Sequence, residues 1–190
     1  MDKRAAQILA FWFDEIGPEH WYEASPELDA TIRHKFEPIW GFAARGELDK
    51  WICEPLTSLA LLIVLDQFPR NMFRGDRKAF ATDKKALRAA KEALNFKHDQ
   101  RLDMPGRQFF YLPFVHSEIG PDQERAVRLF LFSEATDNLR HARAHRWVIR
   151  KFGRFPTRNA ELGRKSTHAE EQFIADGGYE LALKAVSDDD

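Results

Sequence analysis

Leu59-Ala60-Leu61-Leu62-Ile63-Val64-Leu65-Asp66-Gln67-Phe68-Pro69-Arg70-Asn71 is the stretch that decides the fold class of this chain. Its first seven residues are apolar on every side, as a helix buried all round requires, and fall far short of the roughly 20 residues a membrane span needs. Phe68-Pro69 predicts the end of that helix, because proline disfavours the α region for the residue before it. Asp66 shares a side with Leu59, Leu62 and Ile63, so the pattern predicts a buried carboxylate in want of a cation. A second copy of the motif, Gly153-Arg154-Phe155-Pro156-Thr157-Arg158-Asn159, follows the helical run from His145 to Phe152. Two matching turns that each present an Arg-Asn pair beyond a helix end predict two halves of one polar centre.

Outward from this stretch, apolar residues recur at helical spacing almost everywhere, and no period-2 segment is convincing. The spacing predicts helices from about Lys3 to Asp14, from Pro26 to Gly46 with Pro38 as a kink, from Glu54 to Gln67, and from Asp83 to Asn95 with Thr82 as cap. A long helical stretch from Pro121 to Lys151 carries a break near Ser133 to Thr136. Thr167-x-x-Glu170 reads as the capping box of a last short helix. The expected architecture is all-α, one domain over 1–190 built of antiparallel helix pairs, with 187–190 as a frayed tail.

A chain of 190 residues can bury roughly 70% of its unfolded surface, and 44% apolar content is that of an ordinary globule. The net charge of −1 gives no overall pull toward nucleic acid or anionic lipid. Cys53 stands alone, so no internal disulfide can form, and the N-terminus lacks a signal-peptide pattern. A soluble cytoplasmic protein without nucleic-acid or membrane partners is the expectation. No 34-residue tetratricopeptide consensus is present.

Three strings together, Leu59 to Asn71, Tyr111-Leu112-Pro113-Phe114-Val115-His116-Ser117-Glu118 and Phe152 to Asn159, resemble a bacterial family catalogued as domain of unknown function 924. The resemblance runs from Trp12 to the capped last helix. It implies a tetratricopeptide-like, right-handed helical array without the repeat consensus, and it implies no activity.

The chemistry must then be read from residues. Arg70, Asn71, Arg74, Arg154, Arg158 and Asn159 are the expected grip on a small anionic ligand, since guanidinium forks suit carboxylate or phosphate. Asp66 orients that centre, and His116, Glu118 and His145 are the groups able to move a proton. The stretch from Arg140 to Lys165 holds nine Arg or Lys against Glu161 alone, a local +8 that leaves −9 elsewhere. On a helical wheel its arginines share one side, while His141, His145 and Glu134 lie among core positions. His141 and His145 have metal-ligand spacing, but residue 142 is Ala where a zinc peptidase carries Glu. Neither a metal nor a cofactor is expected. The competing reading is a tetratricopeptide-like scaffold for a protein segment, with the Phe-Pro-Arg-Asn turns purely structural.

Overall fold

The computed structural model describes residues 1–133 and 136–186, and these are helical without a strand among them. They form two compact units, Met1–Pro113 and Phe114–Asp190. The expected tail, 187–190, and Glu134 lie outside the described residues.

In the first unit, α1 (Lys3–Leu9) starts at Asp2, whose side chain accepts from the Arg4 amide, and winds on as a π-helix through Ala10–Ile16 until Gly17 takes φ +79°. Helix α2 (Pro26–Arg45) is capped by Ser25, runs unbroken through Pro38 and ends at Gly46, φ +89°. Helix α3 (Pro55–Leu62) continues as a π-helix, Ile63–Gln67, and then as α4 (Phe68–Met72). Every residue from Leu59 to Leu65 is buried, at roughly 1.5–3 kcal/mol for each large aliphatic side chain. Around this axis stand Phe11, Phe36 and Phe68, with ring centroids 4.9 Å apart for the first pair and 4.8 Å for the second. Helix α5 (Asp83–Asn95) buries its alanine face, Ala86, Ala89, Ala90 and Ala93.

Phe68-Pro69 does not stop the helix. Phe68 keeps right-handed helical angles, φ −56° and ψ −39°, and its amide reaches back five residues to the Ile63 carbonyl. The missing Pro69 amide would orphan a buried carbonyl upstream. Thr82 resolves this: its hydroxyl donates to the Leu65 carbonyl at 2.6 Å, and Arg70 Nη1 donates to the Asp66 carbonyl. Thr82 therefore bonds to a neighbouring helix and makes no side-chain cap on α5.

The second unit begins within α6 (Leu112–Val115). Gln123 Nε2 donates to the carbonyls of Val115 and Ser117, at 2.6 Å each, and so closes the turn before α7 (Gly120–Leu131). Helices α7 and α8 (Thr136–Phe152) lie against each other. Here the motif does end a helix. Gly153 takes φ +71°, Phe155 is extended before Pro156, and a 3₁₀ turn follows over Pro156–Arg158. The capping box forms as read, with Thr167 and Glu170 reciprocally bonded at the start of α9 (His168–Ala175). A further helix, α10 (Tyr179–Ala185), follows Gly177-Gly178 and was not separated from α9 by the periodicity. Its Ala182 joins Ala144, Val148, Ile149, Phe155 and Phe173 in the core.

Replacing Thr82 by Val removes the hydroxyl that serves Leu65 and also accepts from Trp40 Nε1 at 3.2 Å. A buried carbonyl and a part-buried indole N–H lose their partner, so the expected loss is about 1–3 kcal/mol in urea unfolding. A loss below about 0.5 kcal/mol would mean that the Leu65 carbonyl is satisfied otherwise.

Candidate ligand-binding site

The polar side chains of the first motif are met inside the first unit. Asp66, 1% exposed, faces Arg70 Nη1 at 3.4 Å and accepts from Gln67 Nε2 at 2.5 Å. Arg70 Nη2 lies 3.1 Å from Asp83. Asn71 Nδ2 donates to Asp29 Oδ1 at 2.9 Å, and Arg74 forks onto the same carboxylate at 2.6 and 3.0 Å. Three acids thus serve two arginines. The π-turn, common at functional positions, here aims Asp66 at its own helix continuation.

The second motif is likewise bound within the second unit. Glu118 accepts a fork from Arg164 at 2.7 and 3.0 Å and the Phe155 amide at 2.8 Å. Burial raises its pKa, but these bonds and the charges of Arg164 and Arg158 outweigh burial and hold the carboxylate below its ordinary range. Glu118 is therefore an ionised anchor, unsuited to hand over a proton. Arg154 forks onto Glu170 at 2.6 and 2.8 Å, and Asn159 bridges Ser166 and Arg164. The sequence reading made Asp66, Glu118, Arg154 and both asparagines members of a reactive or anion-gripping centre. The geometry gives them structural bonds, because each meets a complementary partner: Asp66 meets Arg70 one turn on, Asn71 meets Asp29, Glu118 and Asn159 meet Arg164, and Arg154 meets Glu170. Ser117 spends its hydroxyl on Asp122 at 2.9 Å.

What stays open is a cleft of about 180 Å³ in the second unit, lined by His145, Val148, Phe155, Thr157, Arg158, Phe173 and Tyr179. Arg158 and His145 were foreseen, and the Arg158 guanidinium lies over the Phe155 ring at 4.5 Å. His145 is half-buried, 6.2 Å between ring centroids from His116 and 4.8 Å from Tyr179. Burial, then the neighbouring His116, push its pKa down to about 3, with the hydrogen bond to the His141 carbonyl opposing the shift and the Arg158 charge adding to it. It is neutral at physiological pH.

Its tautomer follows from its partners. His145 Nδ1 stands 2.8 Å from the His141 carbonyl, which can only accept, so Nδ1 carries the proton. The Tyr179 hydroxyl, held above the ordinary phenol range chiefly by burial, stays protonated. It lies 2.6 Å from His141 Nδ1 and 3.3 Å from His145 Nδ1. Since His145 has no acceptor there, Tyr179 donates to His141. Tyr179, Val148 and Phe173 were missed by sequence reading: two look like core positions, and a tyrosine after a Gly-Gly step carries no signal of a site. Among the described residues, no group of three or more His, Cys, Asp or Glu could hold a metal ion, and no helix is long and apolar enough to cross a membrane.

The model of the family described as "Bacterial protein of unknown function (DUF924)" matches residues 8–178. The chain belongs to that family. It is also similar to a solved structure described as "Structure of Protein of Unknown Function ATU0120 from Agrobacterium tumefaciens", with a TM-score of 0.87 and 41% identity over 92% of this chain and 98% of the other. No curated protein matches the chain.

In this member of DUF924 the locked carboxylate and the neutral histidine both make the fold sensitive to acid. An unfolded Glu takes up a proton near 4.5, whereas the Arg154 hydrogen bonds hold folded Glu170 at about 2. That stabilisation is complete above about pH 4.5 and is lost as pH falls toward 2. An unfolded His binds a proton near 6.5 but folded His145 only near 3, so stability also declines from about 6.5 downward. Urea midpoints measured against pH should fall through both windows. Glu170→Gln should flatten the lower one, and His145→Leu the upper. An unchanged upper limb in His145→Leu would show that His145 is solvated.

Proposed function

We propose that this protein binds a small anionic molecule in the cleft of its second unit. The carrying observation is the make-up of the wall: the Arg158 guanidinium beside apolar Val148, Phe155 and Phe173, with the neutral polar tips of His145 and Tyr179. A guanidinium beside low-dielectric walls attracts a carboxylate more strongly than it would in water. The volume of about 180 Å³ suits a body near the size of one ring, since an apolar cavity of about 150 Å³ takes up benzene. The wall holds no carboxylate, so the geometry favours holding a ligand over acid–base chemistry on it. Of the residues first assigned to the centre, Arg158 and His145 line this wall; His116 adjoins it through His145. Asp66, Arg70, Asn71 and Arg74 belong to the internal ion pairs of the first unit.

The alternative is a tetratricopeptide-like scaffold of antiparallel helix pairs that binds a protein segment. One observation favours it: the Arg and Asn side chains of the first motif are satisfied by Asp29, Asp66 and Asp83, as purely structural turns would be.

Thermal shift separates the two. Benzoate or succinate should raise Tm, by mass action worth about 2.7 kcal/mol at a hundredfold excess over Kd. Arg158→Leu should abolish the shift, while Arg70→Leu, tested at the same ionic strength, should lower Tm yet leave the shift in place. Equal shifts in wild type and Arg158→Leu would be a general salt effect, and the scaffold would then be the better reading.

A further inference from the structure

A second, smaller cleft lies in the first unit. It measures about 140 Å³ and is lined by Ile52, Leu61, Leu65 and Ala89, with Asp49, Lys85, Arg88 and Glu92 around it. Ile52 and Ala89, each 8% exposed, and Leu61, 2% exposed, bring a small apolar surface to the cleft, with fully buried Leu65 behind them. Its charged side chains are unequally engaged. Lys85 Nζ is 3.4 Å from Asp49 and 3.3 Å from the Ala44 carbonyl at the end of α2, which accounts for two of its three N–H donors. Arg88 is 70% exposed and reaches Asp49 only at 3.7 Å. Glu92, exposed and one turn along α5, has no ion pair among the described residues, although an Arg four residues before a Glu could have formed one.

We infer that this cleft accepts a small zwitterion with a branched aliphatic body, the chemistry of a free α-amino acid such as leucine. The carboxylate meets Arg88 and the third Lys85 donor, the ammonium meets Glu92, and the side chain rests on Ile52, Leu61 and Ala89. Charge balance selects for both charges at once. Lys85 and Arg88 against Asp49 and Glu92 sum to zero, so a lone anion faces Glu92 and a lone cation faces the two bases. Residues four apart on a helix present side chains about 5–6 Å apart at Cβ, and flexible Arg and Glu tips can close that gap onto adjacent ammonium and carboxylate groups. The body is limited by volume: four to six carbons fill about 140 Å³, and an indole exceeds it. This site is independent of the cleft in the second unit.

The test is L-leucine titrated into the intact protein, followed by amide chemical shifts. Saturable shifts at Ile52 and Ala89 are expected, with glycine giving none. Three matched losses are expected as well. 4-Methylpentanoate, which lacks the ammonium, 3-methylbutylamine, which lacks the carboxylate, and leucine on Glu92→Gln should each bind about fivefold more weakly, the factor for about 1 kcal/mol of exposed ion pairing. Glu92 is exposed, so the variant should keep its fold, and an unchanged Tm checks this. Equal binding of 4-methylpentanoate and leucine, full binding by Glu92→Gln, or no saturable shift at all would each overturn the inference.

Discussion

A buried helix that contains proline must find a donor for each carbonyl the proline leaves behind, and the first unit is arranged around that requirement. Leaving one such group unmet costs about 1–3 kcal/mol, a large share of a domain's net stability. The chain meets it by widening the helix over Ile63–Gln67 and by bringing Thr82 onto the Leu65 carbonyl. Thr82 immediately precedes α5, so this single bond also fixes where that helix begins. Asp83, the next residue, then stands within 3.1 Å of Arg70. Lys85, Arg88, Ala89 and Glu92, farther along, form one wall of the smaller cleft. Backbone satisfaction, ion pairing and cleft thus descend from one hydrogen bond.

The two Phe-Pro motifs take two conformations, and the residues just before each pair explain why. In the second copy Gly153 precedes the Phe-Pro pair and adopts φ +71°, a left-handed step that ends α8 before the proline can object. In the first copy Asp66-Gln67 occupy the corresponding place. Neither favours that step, and the surrounding aromatic core holds Phe68 in the helix. The pre-proline preference is worth less than the burial of a phenylalanine, so tertiary packing wins.

Helix positions were legible because their signals are local. Pro26, Gly46 and the Thr167–Glu170 box each act within one turn, and each appears where the spacing put it. The polar residues were legible as important but not as to role. Asn71 is resolved by Asp29, 42 residues away, and Glu118 by Arg164, 46 residues away, and no local pattern contains such a partner. Asp29 and Asp83 likewise carry no local sign of Arg74 and Arg70, and Glu170, legible as the acid of a capping box, carries none of Arg154. His145 was found because the wheel placed a polar residue on an apolar face, a conflict within one helix.

What the cleft in the second unit can do follows from where its protons are held. A general acid or base works best with a pKa near the ambient pH. On the wall, His145 moves to about 3 and Tyr179 upward, and Glu118, which lies off the wall and is bonded to the Phe155 amide, moves downward. Their causes are separate, burial for the histidine and the phenol and the Arg164 fork for the carboxylate. The outcome is common. Around neutral pH the imidazole is uncharged with its proton fixed on Nδ1, the phenol is a committed donor, and the carboxylate is spent on an arginine. Such a wall has fixed donors and acceptors and one cation, Arg158, which suits it to recognise charge and shape and leaves little capacity to shuttle protons.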